Sequence, residues 1–489
     1  MTNSSAGPPD QYADLRRFDN AVGELVEAGY FRPRVDVFIN RTPGRLDLMG
    51  GNDDYTGGLV FETTIREATL VAVQPRGDRK VVFLNPGVTQ FGWQERVELS
   101  LDDFTENGHA KDVEAVRTLL QADPARAWCA YVAGDLYFLI KQFPQKVVYG
   151  FSLYLQSDVP LGKGVSSSAA LEVAPMKAMA HMYGIDVGGV ELASWAQWVE
   201  IALTQAGCGI MDQLAVTMGD EDQFVPMLCE PCQPYELVRL PSNLRVWGLD
   251  SGVRHSVSGL EYESARAATF LGYSLLCHWE RLEPTLDETG ILPRWVEPRW
   301  QGYLARVSPS EFRTRYEERL PECMRGADFV AMRLQHLDPF SPVRPEVVYP
   351  VRAATRYAVE ENLRVTTFYR LVAASAGPVD EMTAGLLGEL MYQSHVGYTQ
   401  CGLGSAATDK IVELVRSERN NGLIGAKITG GGAGGTVAIL GLDSTAAASA
   451  LKRVVERYSL WSKTDPYLFE GSSAGCDKFG VLQRTYGRQ

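Results

Sequence analysis

The sequence predicts an α+β protein of two domains, with a phosphate-binding loop in the cleft between them. The chain has 489 residues, more than a single domain usually holds. Apolar residues at helical spacing alternate along it with short β-branched runs. Residues 151–155 read as a strand that leads through glycines and serines into an Ala-rich helix. We expect the domains to cover residues 1–215 and 216–489, the second with an insertion at about 283–345.

The individual elements follow from the same spacings, taken in chain order. The opening helix is predicted because apolar residues from Tyr12 to Val26 recur every three or four positions. Pro175 is expected to kink or interrupt the helix after the serines, and Gly184 to end it. The insertion is rich in Pro and Arg and reads as short helices. The predicted helices are 12–26, 128–143, 167–183, 190–204 and 264–281, and the predicted strands are 35–39, 68–73, 81–84, 151–155, 244–249 and 435–440.

Composition and charge argue against several classes of protein. The 47 Lys and Arg against 60 Asp and Glu give a net charge of −13, which disfavours a nucleic-acid surface. Residues 1–10 have no basic start and no apolar core, and no apolar run reaches about 18 residues, so neither a signal peptide nor a membrane span is expected. The eight scattered cysteines fit a reduced cytoplasm. Cys229 and Cys232 have no second pair or histidine at zinc spacing, so a zinc or redox role is a minor alternative.

The most informative segment is residues 160–171, Pro-Leu-Gly-Lys-Gly-Val-Ser-Ser-Ser-Ala-Ala-Leu. A strand that passes through glycines into a helix leaves free backbone N–H groups and a positive helix end where an anion can bind. Glycine lets the backbone approach a phosphate, and serine hydroxyls can bind phosphate or a metal ion. The chain has no Gly-x4-Gly-Lys-Ser/Thr and no strand–Gly-x-Gly-x2-Gly–helix unit, so neither a Walker loop nor a Rossmann site is predicted.

Two further glycine-rich stretches make this segment part of a family signature. One such stretch alone is more often a turn than a ligand site. The chain has three stretches that resemble, in this order, the three motifs of the GHMP small-molecule kinases: residues 43–58, 160–171 and 427–435. The resemblance runs from about Asn40 to Gly480. It implies a two-domain GHMP kinase fold with the active site in the cleft between the domains, and ATP and Mg²⁺ as cofactors.

Within this family, the first motif resembles the galactokinase signature. The chain is most similar to the kinase domain of plant-type L-arabinokinases. Their pattern Pro-Gly-Arg-Leu-Asp-x-Met-Gly-Gly-x-x-Asp-Tyr is present at residues 43–55. Residues 65–68, 250–256 and 469–473 are also similar. The resemblance therefore implies a sugar as the phosphoryl acceptor.

The nucleotide and metal ligands are carried over from the family motifs. Ser168 matches the serine that ligates Mg²⁺, and Glu200 lies 12 residues before Asp212, the spacing of the family's metal-binding glutamate. Glu172, one turn beyond the serines, is the alternative metal ligand. The residues implied to bind ATP are Gly162, Gly164, Val165, Ser166, Ser167, Ser168, Ala169, Gly431 and Gly432.

Two residues are implied to be catalytic. Asp212 lies in Cys-Gly-Ile-Met-Asp-Gln at 208–213, which resembles the galactokinase segment that carries the catalytic aspartate. The alternative is an aspartate stabilised at a helix N-terminus. Arg45 matches the arginine between that aspartate and the transferring phosphate, where a permanent charge would keep the carboxylate ionised. Its alternative is an exposed arginine after a turn.

The acceptor pocket is predicted from six positions at which galactokinases read Gly-Glu-His-Thr-Asp-Tyr. The ring-binding aspartate is kept as Asp54, but the Glu and His that contact the C6 hydroxyl are replaced by Gly51 and Asn52. L-Arabinopyranose has no C6 group, and an unpaired buried carboxylate in front of it would cost about 1–3 kcal/mol. Asp53 is expected to add negative charge nearby. The other residues implied to bind the sugar are Asp47, Gly209 and Tyr262.

The sequence thus predicts a cytoplasmic, ATP-dependent kinase that converts L-arabinose to L-arabinose 1-phosphate. It is expected to be a monomer or homodimer without nucleic-acid or membrane partners. Galactokinase or galacturonokinase activity is the alternative, since Lys163 or Arg66 could supply the cation that a uronate needs. A non-catalytic sugar and ATP sensor is opposed by the intact Ser168, Glu200 and Asp212. Decarboxylation of a phosphorylated isoprenoid acid is disfavoured by the first motif.

Overall fold

The structure is a computed structural model that describes residues 12–253 and 259–487. In these ranges the strands are β1 (Asp36–Met49), β2 (Leu59–Pro75), β3 (Lys80–Leu84), β4 (Arg96–Ser100), β5 (Thr105–Glu106), β6 (His109–Ala110), β7 (Phe151–Ser157), β8 (Phe224–Leu228), β9 (Gln233–Pro234), β10 (Leu244–Asp250), β11 (Thr285–Asp287), β12 (Arg294–Val296), β13 (Met324–Arg325), β14 (Val348–Tyr349), β15 (Leu423–Ile428), β16 (Thr436–Leu442), β17 (Leu468–Glu470) and β18 (Leu482–Thr485). The α-helices are α1 (Ala13–Glu27), α2 (Leu101–Phe104), α3 (Val113–Gln121), α4 (Cys129–Gln142), α5 (Ser167–Met182), α6 (Gly189–Val199), α7 (Met211–Met218), α8 (Leu260–Trp279), α9 (Pro309–Arg315), α10 (Gly326–Ala331), α11 (Val351–Ala373), α12 (Glu381–Gln400), α13 (Ala406–Ser417), α14 (Thr445–Ser462) and α15 (Cys476–Phe479).

Each predicted helix and strand has a counterpart, but β1 and β2 are longer than predicted. Their register shifts between Pro43 and Arg45 and again between Asp47 and Met49. Bulges of this kind let a strand continue while they re-aim its side chains. The first motif therefore begins inside a strand and not in a loop. Of the two effects expected of Pro175, an interruption of α5 is wrong, because the helix continues through that residue, and a kink stays a prediction.

Two sheets organise the molecule. The larger has the strand order β18-β1-β2-β7-β3-β4, with β8 paired to β2 and β9 to β8. The smaller has the order β15-β16-β10-β17. Strands β8, β9 and β18 follow residue 215 in the chain yet pair within the larger sheet. The division into domains at residue 215 stays a prediction.

The helices cover these sheets in a way that brings two motifs together. Helix α5 lies on β1 and β2, and α12 and α13 lie on β15. Helices α4, α5 and α6 share one apolar core with the larger sheet. As a result, the serine-rich start of α5 meets the loop between β15 and β16, which is the third glycine-rich motif.

The insertion at 283–345 is packed into the body of the protein. It contains the hairpin β11–β12 and the short helices α9 and α10. Its Trp300, Phe312 and Phe329 share a core with residues of α8 and α11. In the ranges described, no helix combines the length and the apolarity needed to cross a membrane. A cytoplasmic location and the oligomeric state stay predictions.

Candidate active site

The loop before α5 has the geometry of an anion-binding turn. Gly162, Gly164 and Ser166 have positive φ values of 72°, 70° and 58°. Ser166 is the residue before the helix, and its buried hydroxyl has no hydrogen-bond partner in the part of the chain that the structure describes. The N–H groups of the first turn, which includes Ser168 and Ala169, have no partner within the helix. This helix end can therefore bind phosphate oxygens.

The third motif packs directly on this loop. The Thr436 hydroxyl donates a hydrogen bond to the Lys163 carbonyl at 2.8 Å. A Cβ on Gly435 would lie 2.8 Å from the same carbonyl, so the two backbones touch. Gly431 is half-buried and Gly432 is buried beside them. The second and third motifs thus form one surface.

Arg45 joins the phosphate loop to Asp212. Its Nε and Nη2 donate to Oδ1 of Asp212 at 2.9 and 2.7 Å, and its Nη1 donates to the Gly164 carbonyl at 2.7 Å. In the described residues, no hydrogen bond reaches Oδ2 of Asp212. Burial disfavours the charge of Arg45, but the Asp212 and Glu62 carboxyls raise the pKa of this side chain above its ordinary value.

Glu62 lies close to this pair without a hydrogen bond. Its Oε2 is 3.4 Å from Nε of Arg45, and neither of its oxygens has a hydrogen-bond partner in the described ranges. Burial, and then the charge of Asp47, raise the pKa of Glu62 well above its usual range. Of these two carboxyls, only that of Asp212 accepts hydrogen bonds from Arg45.

Asp54 lies against the helix that carries Asp212. Its two oxygens accept from the backbone N–H groups of Tyr55 at 2.8 Å and Met211 at 3.3 Å. A Cβ on Gly209 would lie 1.7 Å from Oδ2 of Asp54, so only glycine allows this approach. Burial, and then the charge of Asp212, raise the pKa of Asp54 to about 7. The ring of Tyr262 is also buried here, and burial raises the pKa of its hydroxyl.

Asp47 does not have a free carboxylate. Its Oδ2 is 2.7 Å from Nζ of Lys427 in a completely buried ion pair. The backbone N–H groups of Gly51 and Gly430 donate to its two oxygens at 3.2 Å. Its own N–H donates to the Thr429 hydroxyl at 2.8 Å. Asp47 therefore holds the first motif against the third.

The space beside Gly51 is filled, not empty. A Cβ on Gly51 would lie 1.5 Å from Oη of Tyr398 and 2.6 Å from Oδ2 of Asp47. The Tyr398 hydroxyl donates to the Gly430 carbonyl at 2.6 Å and is completely buried. Next to it, Asn52 is buried, and within the described chain its Oδ1 has no hydrogen-bond partner.

The negative charge expected at Asp53 stays a prediction. Asp53 is completely buried and accepts a hydrogen bond from the Thr56 hydroxyl. Burial raises the pKa of its carboxyl well above its ordinary value. Through the hydrogen bond from Thr56, Asp53 stabilises the turn at 51–56.

The candidate metal ligand Glu200 and its alternative Glu172 share one buried amide. Nε2 of Gln213 donates to Oε2 of Glu200 at 2.6 Å and reaches Oε2 of Glu172 at 3.5 Å. Burial, and then the charge of Asp212, raise the pKa of Glu200 to about 7, and a hydrogen bond from Ser168 opposes the rise. Glu200 begins a single π-helical turn that continues α6. Such turns are often found at functional sites.

Three residues that hold site groups are not assigned a role from the sequence. Tyr398 lies far along the chain from Gly51, and nothing in its local sequence marks it. Lys427 and Gln213 lie within the third motif and the segment 208–213, but the motifs do not indicate that they hold Asp47 and Glu200. Residues 254–256 of the similar stretch 250–256 fall outside the described residues. Cys229 and Cys232 are free thiols, and no group of three or more metal-ligating side chains is present in the described ranges.

Comparison with known proteins gives the class of protein. The family model for the GHMP kinases N terminal domain matches residues 130–220, and the GHMP kinases C terminal model matches 379–460. The galactokinase galactose-binding signature matches residues 30–75. A galactokinase of Chloroflexus aggregans is 30% identical over 82% of this chain and 83% of its own length. The chain therefore belongs to the GHMP kinase family.

Particular relatives narrow the comparison. An L-arabinokinase of Arabidopsis thaliana is 36% identical over 93% of this chain and 47% of the relative, so the chain spans about half the length of that protein. The crystal structure of Lactococcus lactis galactokinase with galactose covers 94% of this chain and 99% of that one, at 21% identity and a TM-score of 0.69. The predicted family and the α+β GHMP kinase fold are confirmed.

Proposed function

We propose that this protein is an ATP-dependent sugar 1-kinase that phosphorylates the anomeric hydroxyl of L-arabinose. The two main supports are the Arg45–Asp212 pair beside the phosphate loop and the filled space at Gly51. The first supports phosphoryl transfer, and the second supports a pentose acceptor. ATP, the sugar and the metal ion are parts of this proposal.

Phosphoryl transfer needs a base, a charge partner and alignment. Oδ2 of Asp212 takes the proton from the anomeric hydroxyl as the sugar oxygen bonds to the γ-phosphorus. The bond from that phosphorus to the β–γ bridging oxygen breaks, and ADP leaves. Arg45 holds Asp212 through its other oxygen and offsets charge on the transferring group.

The residues around the loop fit a nucleotide and Mg²⁺. The backbone of 162–169 and the third motif offer N–H groups to phosphate, and the buried hydroxyl of Ser166 is available to an oxygen. The Ser168 hydroxyl and the Glu200 carboxylate provide hard oxygen ligands. When bound, Mg²⁺ supplies neutralisation of the phosphate charge.

The acceptor is held by groups that suit a pyranose ring. The groups offered to the sugar are a carboxylate, a backbone segment, a hydroxyl and an amide, from Asp54, Gly209, Tyr262 and Asn52 respectively. Oδ1 of Asn52 is buried without a partner in the described chain, and a sugar hydroxyl would satisfy it. Asp47 is better described as a positioning residue, because Lys427 already holds its carboxylate.

The preference for a pentose depends on Tyr398, which fills the space beside Gly51. Where a galactokinase has a glutamate for the C6 hydroxyl, this chain has Gly51, and Oη of Tyr398 occupies the position of the missing side chain. No side chain at 51 can reach a C6 group, so the hydroxyl of galactose would lose a partner. Galactokinase activity is the second candidate, since Asp54 and Gly209 are retained. A uronate is disfavoured, because Nζ of Lys163 pairs with Asp250 at 2.7 Å.

An ADP-release assay over L-arabinose, D-galactose, D-galacturonate and D-xylose tests the proposal. We expect kcat/KM for L-arabinose to exceed that for D-galactose by at least about tenfold, the scale set by one unpaired polar group. Equal or better use of galactose would overturn the pentose preference. Tight binding of sugar and ATP without any turnover would favour a sensor.

A further inference from the structure

The insertion is attached to the loop that leads into the catalytic helix. Nε and Nη2 of Arg266, on α8, donate to the two oxygens of Asp338 in the insertion at 2.7 and 3.0 Å. Nη1 of the same arginine donates to the Gly207 carbonyl at 3.0 Å, two residues before Gly209. Both charged side chains are buried. One buried ion pair thus fixes the insertion relative to the acceptor loop.

An open cavity of about 410 Å³ lies between the insertion and this loop. Asp54 and Gly209 line one side of it. The other side is formed by the β11–β12 hairpin, including Thr289 and Ile291, and by Phe340. A volume of this size falls within the range of about 300–1,000 Å³ for small-molecule sites.

Apart from Asp54, the charged side chains that line the cavity are already paired. Arg266 is neutralised by Asp338. Nε of Arg294 lies 3.8 Å from Asp287, and its Nη1 donates to the Tyr303 hydroxyl. The remaining polar lining of the wall includes Gln197 and Thr289, which are uncharged. The cavity therefore suits a neutral ligand rich in hydroxyl groups more than an anion or a cation.

We propose that the insertion forms the outer wall of the acceptor site, and that this cavity receives the part of an uncharged pyranose remote from the anomeric hydroxyl. The reason is position: Asp54 and Gly209 belong to both the cavity and the sugar-binding set. Asp212, where phosphoryl transfer takes place, is not among the described lining residues. This inference rests on the proposed sugar-kinase function and extends it to residues 283–345.

Two matched variants of the hairpin test it. Ile291 lines the cavity and is 40% exposed, whereas Leu286 is 41% exposed on the same hairpin and does not line it. Ile291→Trp should raise KM for the sugar by about tenfold while KM for ATP stays within about twofold. Leu286→Trp should leave both constants unchanged. If the two variants match the wild type, or if they change KM for the sugar equally, the proposal is overturned.

A binding measurement separates this inference from the proposed function. If the wild type phosphorylates no sugar in the panel, the sugar-kinase proposal has failed. The cavity is then tested by thermal unfolding with each sugar at high concentration. A shift in Tm for wild type and Leu286→Trp that is lost in Ile291→Trp supports a sugar-binding wall, and the absence of such a difference refutes it.

Discussion

On the phosphate side of the site, the contacts are mainly with backbone: Arg45 binds the Gly164 carbonyl, and Thr436 binds the Lys163 carbonyl. On the acceptor side, the space around Gly51 is set by a side chain from α12, Tyr398. Backbone contacts need glycines at fixed spacing, and these are visible in the sequence. Side-chain contacts between distant elements depend on the fold. The first side therefore supports the proposed reaction class, and the second supports the proposed substrate.

The largest effect should come from Asp212, where the two sides meet. Asp212→Asn keeps the shape of the side chain but cannot accept a proton. We expect kcat to fall by about 10²–10⁴-fold. ATP binding, followed by calorimetry, should remain near the wild-type value because the phosphate loop is untouched.

The exposed Asp465 offers a control of the same chemistry. Asp465→Asn should leave kcat unchanged. An Asp212→Asn enzyme that keeps more than about a tenth of wild-type kcat would exclude Asp212 as the base. Loss of ATP binding in that variant would show that Asp212 supports the phosphate side instead.

The second effect is a pH dependence of the folding stability, caused by Asp54 on the acceptor side. Because the pKa of the Asp54 carboxyl is raised to about 7, the native state binds more protons than the unfolded state between about pH 4 and pH 7. The contribution of Asp54 to stability is thus full at low pH and lost as pH rises through 7. In the Asp54→Asn variant this loss is absent. We therefore expect the gap between the two proteins, defined as the free energy of unfolding of the variant minus that of the wild type, to increase by about 2–3 kcal/mol from pH 5 to pH 8.

Urea unfolding of both proteins at pH 5 and pH 8 measures this gap. Asp465→Asn should show a gap that does not change with pH. The same constant gap for Asp54→Asn would mean that Asp54 is ionised throughout, and that the acceptor side is more hydrated than its burial indicates.

The third effect tests whether Tyr398 fills the acceptor side. Gly51→Ala should lower the free energy of unfolding by about 1–3 kcal/mol, because its Cβ would lie 1.5 Å from Oη of Tyr398. Gly77→Ala is the matched control, since nothing lies within 4 Å of a Cβ there. Combining Gly51→Ala with Tyr398→Leu should recover part of the loss, and a double-mutant cycle measures the coupling. Independent, additive effects would show that the two residues do not compete for space.

Much of the fold could be predicted, because glycine spacing and apolar periodicity are local signals. The phosphate loop and the meeting of Arg45 with Asp212 both follow the family motifs. The side chain that fills the space beside Gly51 could not be predicted from sequence, since Tyr398 is 347 positions away. The complete burial of Asp53 beside Thr56 also depends on the fold and is not visible in the local sequence.

The smallest effect concerns the metal ligands at the border of the two sides. Glu200→Gln and Ser168→Ala should each raise the Mg²⁺ concentration for half-maximal rate, by about tenfold, because each removes an oxygen ligand. Gln213→Ala should act in the same direction, since Nε2 of Gln213 holds Glu200 at 2.6 Å but Glu172 only at 3.5 Å. Glu172→Gln is the control, with a change below about threefold. If Glu172→Gln raises the Mg²⁺ requirement and Glu200→Gln does not, Glu172 is the ligand. In that case the amide of Gln213 only separates the two buried carboxyls, and the metal ion is bound by α5, which carries Glu172, and not by the π-helical turn that carries Glu200.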